Sequence, residues 1–261
     1  MKNKILVSIN DFPIFKDYEY AFSEIKKTGA DGIEVIYGIK SKWPFRNTKK
    51  LSQKYNLPVF SVHQPLWSGF GLPDFSFIRF AKSLNVEKIV IHPLAKTSLS
   101  DKRMKKYFEK MAKLSSDHNL TMLLENLPVS NQAPFIDKLF PGHKDTFDPL
   151  KILETAKKYG FKMTLDTSHF ENLNLGKWPH LKTILSDTEN IHLSSFSLNR
   201  AHLPLHLGDF NYKDFFVALK KHDYKGFITL EIYYPKMIPL KNYDYPSIKK
   251  SIEIIKQELS I

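Results

Sequence analysis

The chain has 261 residues, 42% of them hydrophobic, no cysteine, and a formal net charge of +12. The missing cysteine excludes a disulfide scaffold, a thiolate metal site and a cysteine nucleophile, so any bound metal must be held by His, Asp and Glu. Length and apolar content suffice for a large buried core, in one (β/α)8 barrel or in two small domains.

From the N-terminus, a strand is expected at Ile5–Ile9, and Asp11 and Pro13 follow before an apolar segment of signal-peptide length builds up. No stretch approaches the roughly 20 apolar residues of a membrane span, so a soluble cytoplasmic protein without membrane partners is expected. Further strands are expected at Gly32–Ile36, Pro58–His63, Lys88–His92, Leu120–Glu125, Lys162–Asp166, Asn190–Leu193 and Phe227–Ile232. Helical patterns lie between them near Asp17–Lys27, Asn47–Tyr55, Phe75–Leu84, Asp101–His118, Pro149–Tyr159, Trp178–Ser186, Tyr212–His222 and Tyr245–Leu259. This strict alternation argues for a closed parallel α/β barrel, a single (β/α)8 TIM-barrel domain over 1–261, since no Pro/Gly/Ser-rich linker divides the chain.

Helix ends support the register. Gly29, Gly160 and Gly226 each follow a helical pattern, where a left-handed residue is wanted, and Pro58 stops the helix before it. The positive charge raises nucleic acid as a partner. Its lysines are dispersed, however: Lys49-Lys50, Lys102-Arg103, Lys105-Lys106, Lys157-Lys158, Lys220-Lys221 and Lys249-Lys250 fall on different outer helices and read as solvated faces.

Several apolar runs end on a metal-binding side chain. These are Leu-Leu-Glu125-Asn, Leu-Asp166-Thr-Ser-His169, Ile-His192-Leu and Leu-Glu231-Ile. In a parallel barrel all strand C-termini open on one mouth, so three carboxylates and an imidazole distant in sequence meet there around a divalent ion. The competing readings are a salt bridge from Glu125 to a lysine, a helix N-cap at Asp166 and a hydrogen-bonded core histidine at His192. His63 and His92 end the third and fourth apolar runs in the same way, and His202 lies in the loop after the seventh strand. Trp67 in a strand-end loop either stacks on a sugar face or flipped nucleotide or packs on its own loop, and Tyr233-Tyr234-Pro235 invites the same two readings. His118, His143, His180 and His222 read as surface residues.

The ordered set Leu-Glu125-Asn, Leu-Asp166-Thr-Ser-His169, His192, His202-Leu-Pro-Leu and Leu-Glu231-Ile, with Gly-Ala-Asp-Gly-Ile-Glu34 in the second unit, resembles the xylose isomerase-like TIM barrel superfamily over nearly the whole chain. That superfamily contains sugar (phosphate) isomerases and epimerases and the endonuclease IV type of DNA-repair enzyme. The epimerase branch implies one divalent ion, often manganese, on Glu125, Asp166, His192 and Glu231. It also implies that Glu125 and Glu231 serve as acid and base through an enediolate, with His169 and Arg200 orienting substrate oxygens. The endonuclease branch implies up to three zinc ions on His63, His92, Glu125, Asp166, His169, His192, His202 and Glu231, acting on abasic DNA.

Two details favour the first branch. Arg200 stands where the endonuclease pattern has an aspartate, and an alternative placement puts Asn199 there; the glycine-rich opening of the repair enzymes is replaced by Ile9-Asn-Asp-Phe-Pro13. His206 occupies a position where the isomerase-like turn has glycine, which either narrows the mouth or adds a ligand. The expected function is a metal-dependent sugar or sugar phosphate isomerase or epimerase, with a zinc phosphodiesterase as runner-up. A barrel that keeps its metal as a non-catalytic binding module comes third.

Overall fold

Strand-phase alternation decides which side chains reach the centre of the molecule. The computed structural model describes residues 3–10, 18–37, 44–65, 75–128, 143–197, 200–232 and 244–260. Strands β1 (Ile5–Asn10), β2 (Gly32–Ile36), β3 (Val59–His63), β4 (Lys88–Ile91), β5 (Thr121–Glu125), β6 (Lys162–Asp166), β7 (Thr188–Leu193) and β10 (Phe227–Leu230) form a closed barrel. Every adjacent pair is parallel, with β10 closing between β7 and β1. A two-stranded antiparallel hairpin, β8 (Ser195–Ser197) with β9 (Arg200–Leu203), rises after β7.

On each strand one set of alternate residues faces the helices. Ile5, Val7 and Ile9, Ile33 and Val35, Met122 and Leu124, Met163 and Leu165, Ile191 and Leu193, and Ile228 and Leu230 join one continuous apolar core. The intervening residues face the barrel interior, and there the sequence turns polar: Glu34, Ser61, His63, Glu125, Thr164, Asp166, Asn190, His192, Thr229 and Glu231 are all buried. The interior polar groups are tied across the barrel, for Asn190 Nδ2 donates to Glu34 Oε2 at 3.2 Å.

The outer layer comprises α1 (Tyr18–Thr28), α2 (Pro44–Tyr55), α3 (Ser76–Ser83), α4 (Lys102–His118), α5 (Pro149–Tyr159), the short α6 (Thr167–Phe170) and α7 (Leu181–Leu185), α8 (Tyr212–Lys221) and α9 (Tyr245–Leu259). Their starts follow capping chemistry: Asp101, Asp148, Asn211 and Asp244 accept backbone N–H bonds at the first turns of α4, α5, α8 and α9. The paired lysines all lie exposed on α2, α4, α5, α8 and α9. Among the described residues no helix is long and apolar enough to cross a membrane.

Two expectations need correction. Gly29 and Gly160 adopt left-handed backbone as expected (φ 80° and 72°), whereas after α8 that conformation falls to Asp223 (φ 53°) and not to Gly226. Gly226 is required by space instead, since a Cβ there would lie 2.3 Å from the Tyr224 hydroxyl and 2.5 Å from the Glu189 carbonyl oxygen. The segment read as a plain loop after the seventh strand carries the β8–β9 hairpin, whose strands are too short to show a period-two pattern in sequence.

Candidate metal centre

Four side chains on the barrel rim converge. Glu125, Asp166, His192 and Glu231, each buried, offer ligand atoms that lie within 4.8 Å of one another. His192 Nδ1 lies 2.8 Å from Glu125 Oε1, 2.7 Å from Glu231 Oε2 and 3.9 Å from Asp166 Oδ2. Metal–ligand bonds of about 2.0–2.2 Å hold their ligand atoms within roughly 4.4 Å of each other, close to this spread. Oxygen-rich donor sets with one imidazole suit manganese or zinc.

Asp166 gives the sharpest test of fit. Its Oδ1 accepts from Ser168 N (2.7 Å), His169 N (2.9 Å) and Ser168 Oγ (2.8 Å), capping α6. Its Oδ2 is buried with no hydrogen-bond partner among the described residues. The N-cap and ligand readings therefore apply to different oxygens of one carboxylate. Burial pushes the Asp166 carboxyl above its usual range, the direction a nearby cation would reverse.

The other charges are partnered within the group. Glu125 meets His63 Nε2 at 3.0 Å and His192 Nδ1, not a lysine. Burial pushes its carboxyl up, but His192 and His63 together hold it well below the ordinary carboxylate range. Glu231 is likewise depressed against its burial, chiefly by His192. Burial opposes charge on His192 most strongly, yet Glu34, Glu125 and Glu231 hold its pKa well above the ordinary histidine value. His63 presents Nδ1 to the Gln64 carbonyl (2.6 Å) and Nε2 to Glu125, two acceptors. Against the cost of burial, Glu125 raises its pKa accordingly.

A second group stands beside the first. Asp166, His169 and His202 also place ligand atoms within 4.8 Å of one another, and so do His63, Glu125 and His192. His169 Nδ1 donates to the Asn126 carbonyl at 2.8 Å. Asn126 in turn holds Asp166 through its side chain, with Asp166 N donating to Oδ1 at 2.9 Å and Nδ2 donating to Asp166 O at 3.1 Å. His202 is buried at φ 55°, a left-handed conformation uncommon for a side-chain residue and frequent at functional sites.

Other expected residues are placed apart. His92 lies beside His63, with ring centroids 5.8 Å apart, but joins none of these groups among the described residues. Arg200 is exposed at the start of β9. His206 is half-buried, close enough to Lys250 and Asp244 to feel their charges, and joins no ligand group among the described residues. Trp67, Asn199 and Tyr233-Tyr234-Pro235 lie outside the described residues. The sequence pattern assigns Glu34 no role, yet its Oε1 stands 3.0 Å from His192 Nε2. Its signal was a lone carboxylate inside the otherwise apolar Gly32–Ile36, in phase with the interior face.

Burial, with His63 alongside, lowers His92 from its ordinary value of 6.5 to about 4. The unfolded chain takes up this proton near 6.5 and the folded chain only near 4, so stability is complete above 6.5 and falls as pH drops through that window. The gap corresponds to about 3 kcal/mol. His92→Gln is expected to flatten this limb in urea melts run between those pH values; an unchanged slope would reject the assignment.

The same barrel recurs in solved structures. A D-allulose 3-epimerase from Methylomonas sp., crystallised with D-allulose, superposes with a TM-score of 0.69 at 17% identity, covering 98% of this chain and 97% of that one. Endonuclease IV from Thermus thermophilus gives 0.62 at 14% identity, covering 98% and 99%. Over 84 residues the chain is 32% identical to an uncharacterized protein of Mycobacterium leprae, a match spanning 29% of this chain and 30% of that protein. The xylose isomerase-like TIM barrel family model matches residues 22–258. With the closed parallel barrel and its polar rim, that match over most of the sequence establishes that the chain belongs to the xylose isomerase-like TIM barrel family.

Proposed function

We propose that this protein is a divalent-metal-dependent isomerase or epimerase of a small sugar or sugar phosphate. One observation carries the reading: Glu125 and Glu231 approach the same atom, His192 Nδ1, from two strands, with Asp166 completing one four-residue ligand group. A divalent ion bound there, manganese or zinc, supplies positive charge to a substrate carbonyl and its neighbouring hydroxyl oxygen. Glu125 and Glu231 are held ionised, so either can accept a proton from the carbon between those oxygens. Removal by one glutamate and return by the other invert the carbon when the two flank the sugar. His169 is a candidate to orient substrate oxygens, Arg200 is assigned the same role by the resemblance, and Trp67 is assigned to stack on a sugar face on the sequence alone.

The fold likeness to a D-allulose 3-epimerase supports the substrate class. The grouping of Asp166, His169 and His202 supports a second reading, a multi-zinc phosphodiesterase at abasic DNA, because it offers ligands beyond those one ion needs. Metal analysis and deuterium uptake separate the two. The epimerase reading expects one ion per chain and exchange of a carbon-bound proton with deuterated water across a ketose panel. Two or three zinc ions with nicking of an abasic duplex would replace it by the nuclease reading.

A further inference from the structure

Five histidines described around the mouth offer a comparison. Nδ1–H of His63, His92, His169 and His202 donates to a backbone carbonyl, of Gln64 (2.6 Å), Pro93 (3.0 Å), Asn126 (2.8 Å) and Glu231 (3.2 Å). Each is thereby fixed with Nε2 as its other face. His192 is reversed: Nδ1 meets the carboxylates of Glu125 and Glu231, and among the described residues Nε2 has no hydrogen-bond partner. Facing Nε2 at 3.0 Å is a carboxylate oxygen, Glu34 Oε1, in ion-pair contact with the ring nitrogen but not in hydrogen-bond alignment.

Glu34 is itself held from behind. Its Oε2 accepts from Ser61 Oγ (2.7 Å) and Asn190 Nδ2 (3.2 Å), and Asn190 Oδ1 accepts from Thr229 Oγ1 (2.8 Å). This relay crosses β3, β2, β7 and β10, two residues below His63, His192 and Glu231 on their strands, and all four of its members are fully buried. A fully buried carboxylate costs stability that an apolar residue of similar volume would not, so its presence beneath a ligand calls for a role other than packing.

We propose that Glu34 is a positioning residue that keeps the proton of His192 on Nε2, so that Nδ1 offers its lone pair to the ion shared with Glu125, Asp166 and Glu231. The proposal rests on the metal-binding part of the function above and not on the sugar reaction. Outer carboxylates set tautomer and orientation in this manner for metal-binding imidazoles generally.

Glu34→Gln tests it with a reversal of polarity. Ser61 and Asn190 both donate to Oε2, so the amide oxygen takes that place and the NH2 faces His192 Nε2. A donor there demands a lone pair on Nε2 and moves the proton to Nδ1, where it competes with the ion. Titration of the metal-free full-length protein with Mn2+ should show the dissociation constant rising at least tenfold, within the ~10–100-fold range for such partners. Ser61→Ala, which frees one oxygen of Glu34 to turn, should raise it several-fold. In the Zn2+-loaded wild type a downfield Nε2–H resonance of His192 is expected, and Glu34→Gln should shift or remove it. A merely structural role would lower the melting temperature of the metal-free variant and leave the affinity of folded protein untouched. Wild-type Mn2+ affinity in folded Glu34→Gln, or in Ser61→Ala should the first not fold, overturns the proposal. Intact Mn2+ affinity without proton exchange on any sugar defeats the proposed reaction and leaves this inference standing; a wild type that binds neither ion defeats both.

Discussion

Glu125→Gln and Glu231→Gln, each assayed at saturating Mn2+, are expected to slow interconversion of sugar epimers by about a thousandfold, mid-range for a positioned acid or base. Glutamine keeps the shape of each side chain beside His192 but cannot take a proton. Both residues are also proposed ligands, so saturation with metal separates lost chemistry from lost binding. The two-base scheme makes a finer demand. With one glutamate gone, the other still faces one side of the ring, so each variant should exchange the carbon-bound proton of only one epimer, and the two variants should favour opposite epimers. Conversion at the wild-type rate in either variant would remove the acid/base assignment.

Metal is expected to stabilise this barrel strongly, and Asp166→Asn to remove that gain without harming the metal-free fold. An ion present at a thousand times its dissociation constant adds about 4 kcal/mol. For a chain of this size that corresponds to a rise in melting temperature of roughly 8–16 °C. The asparagine keeps Oδ1 as the acceptor for Ser168 N and His169 N, so α6 retains its cap. It replaces Oδ2, which accepts no hydrogen bond among the described residues, with an NH2 group, which repels a cation and relieves the burial that pushes the Asp166 carboxyl up. Metal-free Asp166→Asn should therefore melt at or above the wild-type temperature while gaining little from Mn2+. An undiminished Mn2+ shift in this variant would exclude Asp166 as a ligand.

The strands were legible because their burial is repetitive. Leu-Leu-Glu125 and Thr-Leu-Asp166 each end an apolar run on a carboxylate, and period-two alternation carries Glu125, Asp166, His192 and Glu231 to the interior face once the barrel closes. The N-cap and ligand readings of Asp166 could not be separated in sequence, because the choice belongs to individual oxygens. The role of Gly226 was equally hidden, since its requirement is the space left by Tyr224 and Glu189 and not a backbone angle.

By itself, the sequence determined the alternation of strands and helices, the interior phase of each strand and the chemistry available at the rim, all of which depend on residues close in the chain. Only the tertiary structure decided which of those residues meet. His192 lies 67 residues from Glu125 and 156 separate Asn190 from Glu34, yet barrel closure brings each pair within 3.2 Å. It also left His92 outside the ligand groups and gave Glu34 a place beneath His192. The physical reason is that strand register and shear set cross-barrel distances, and these depend on closure of the whole sheet, which no local pattern encodes.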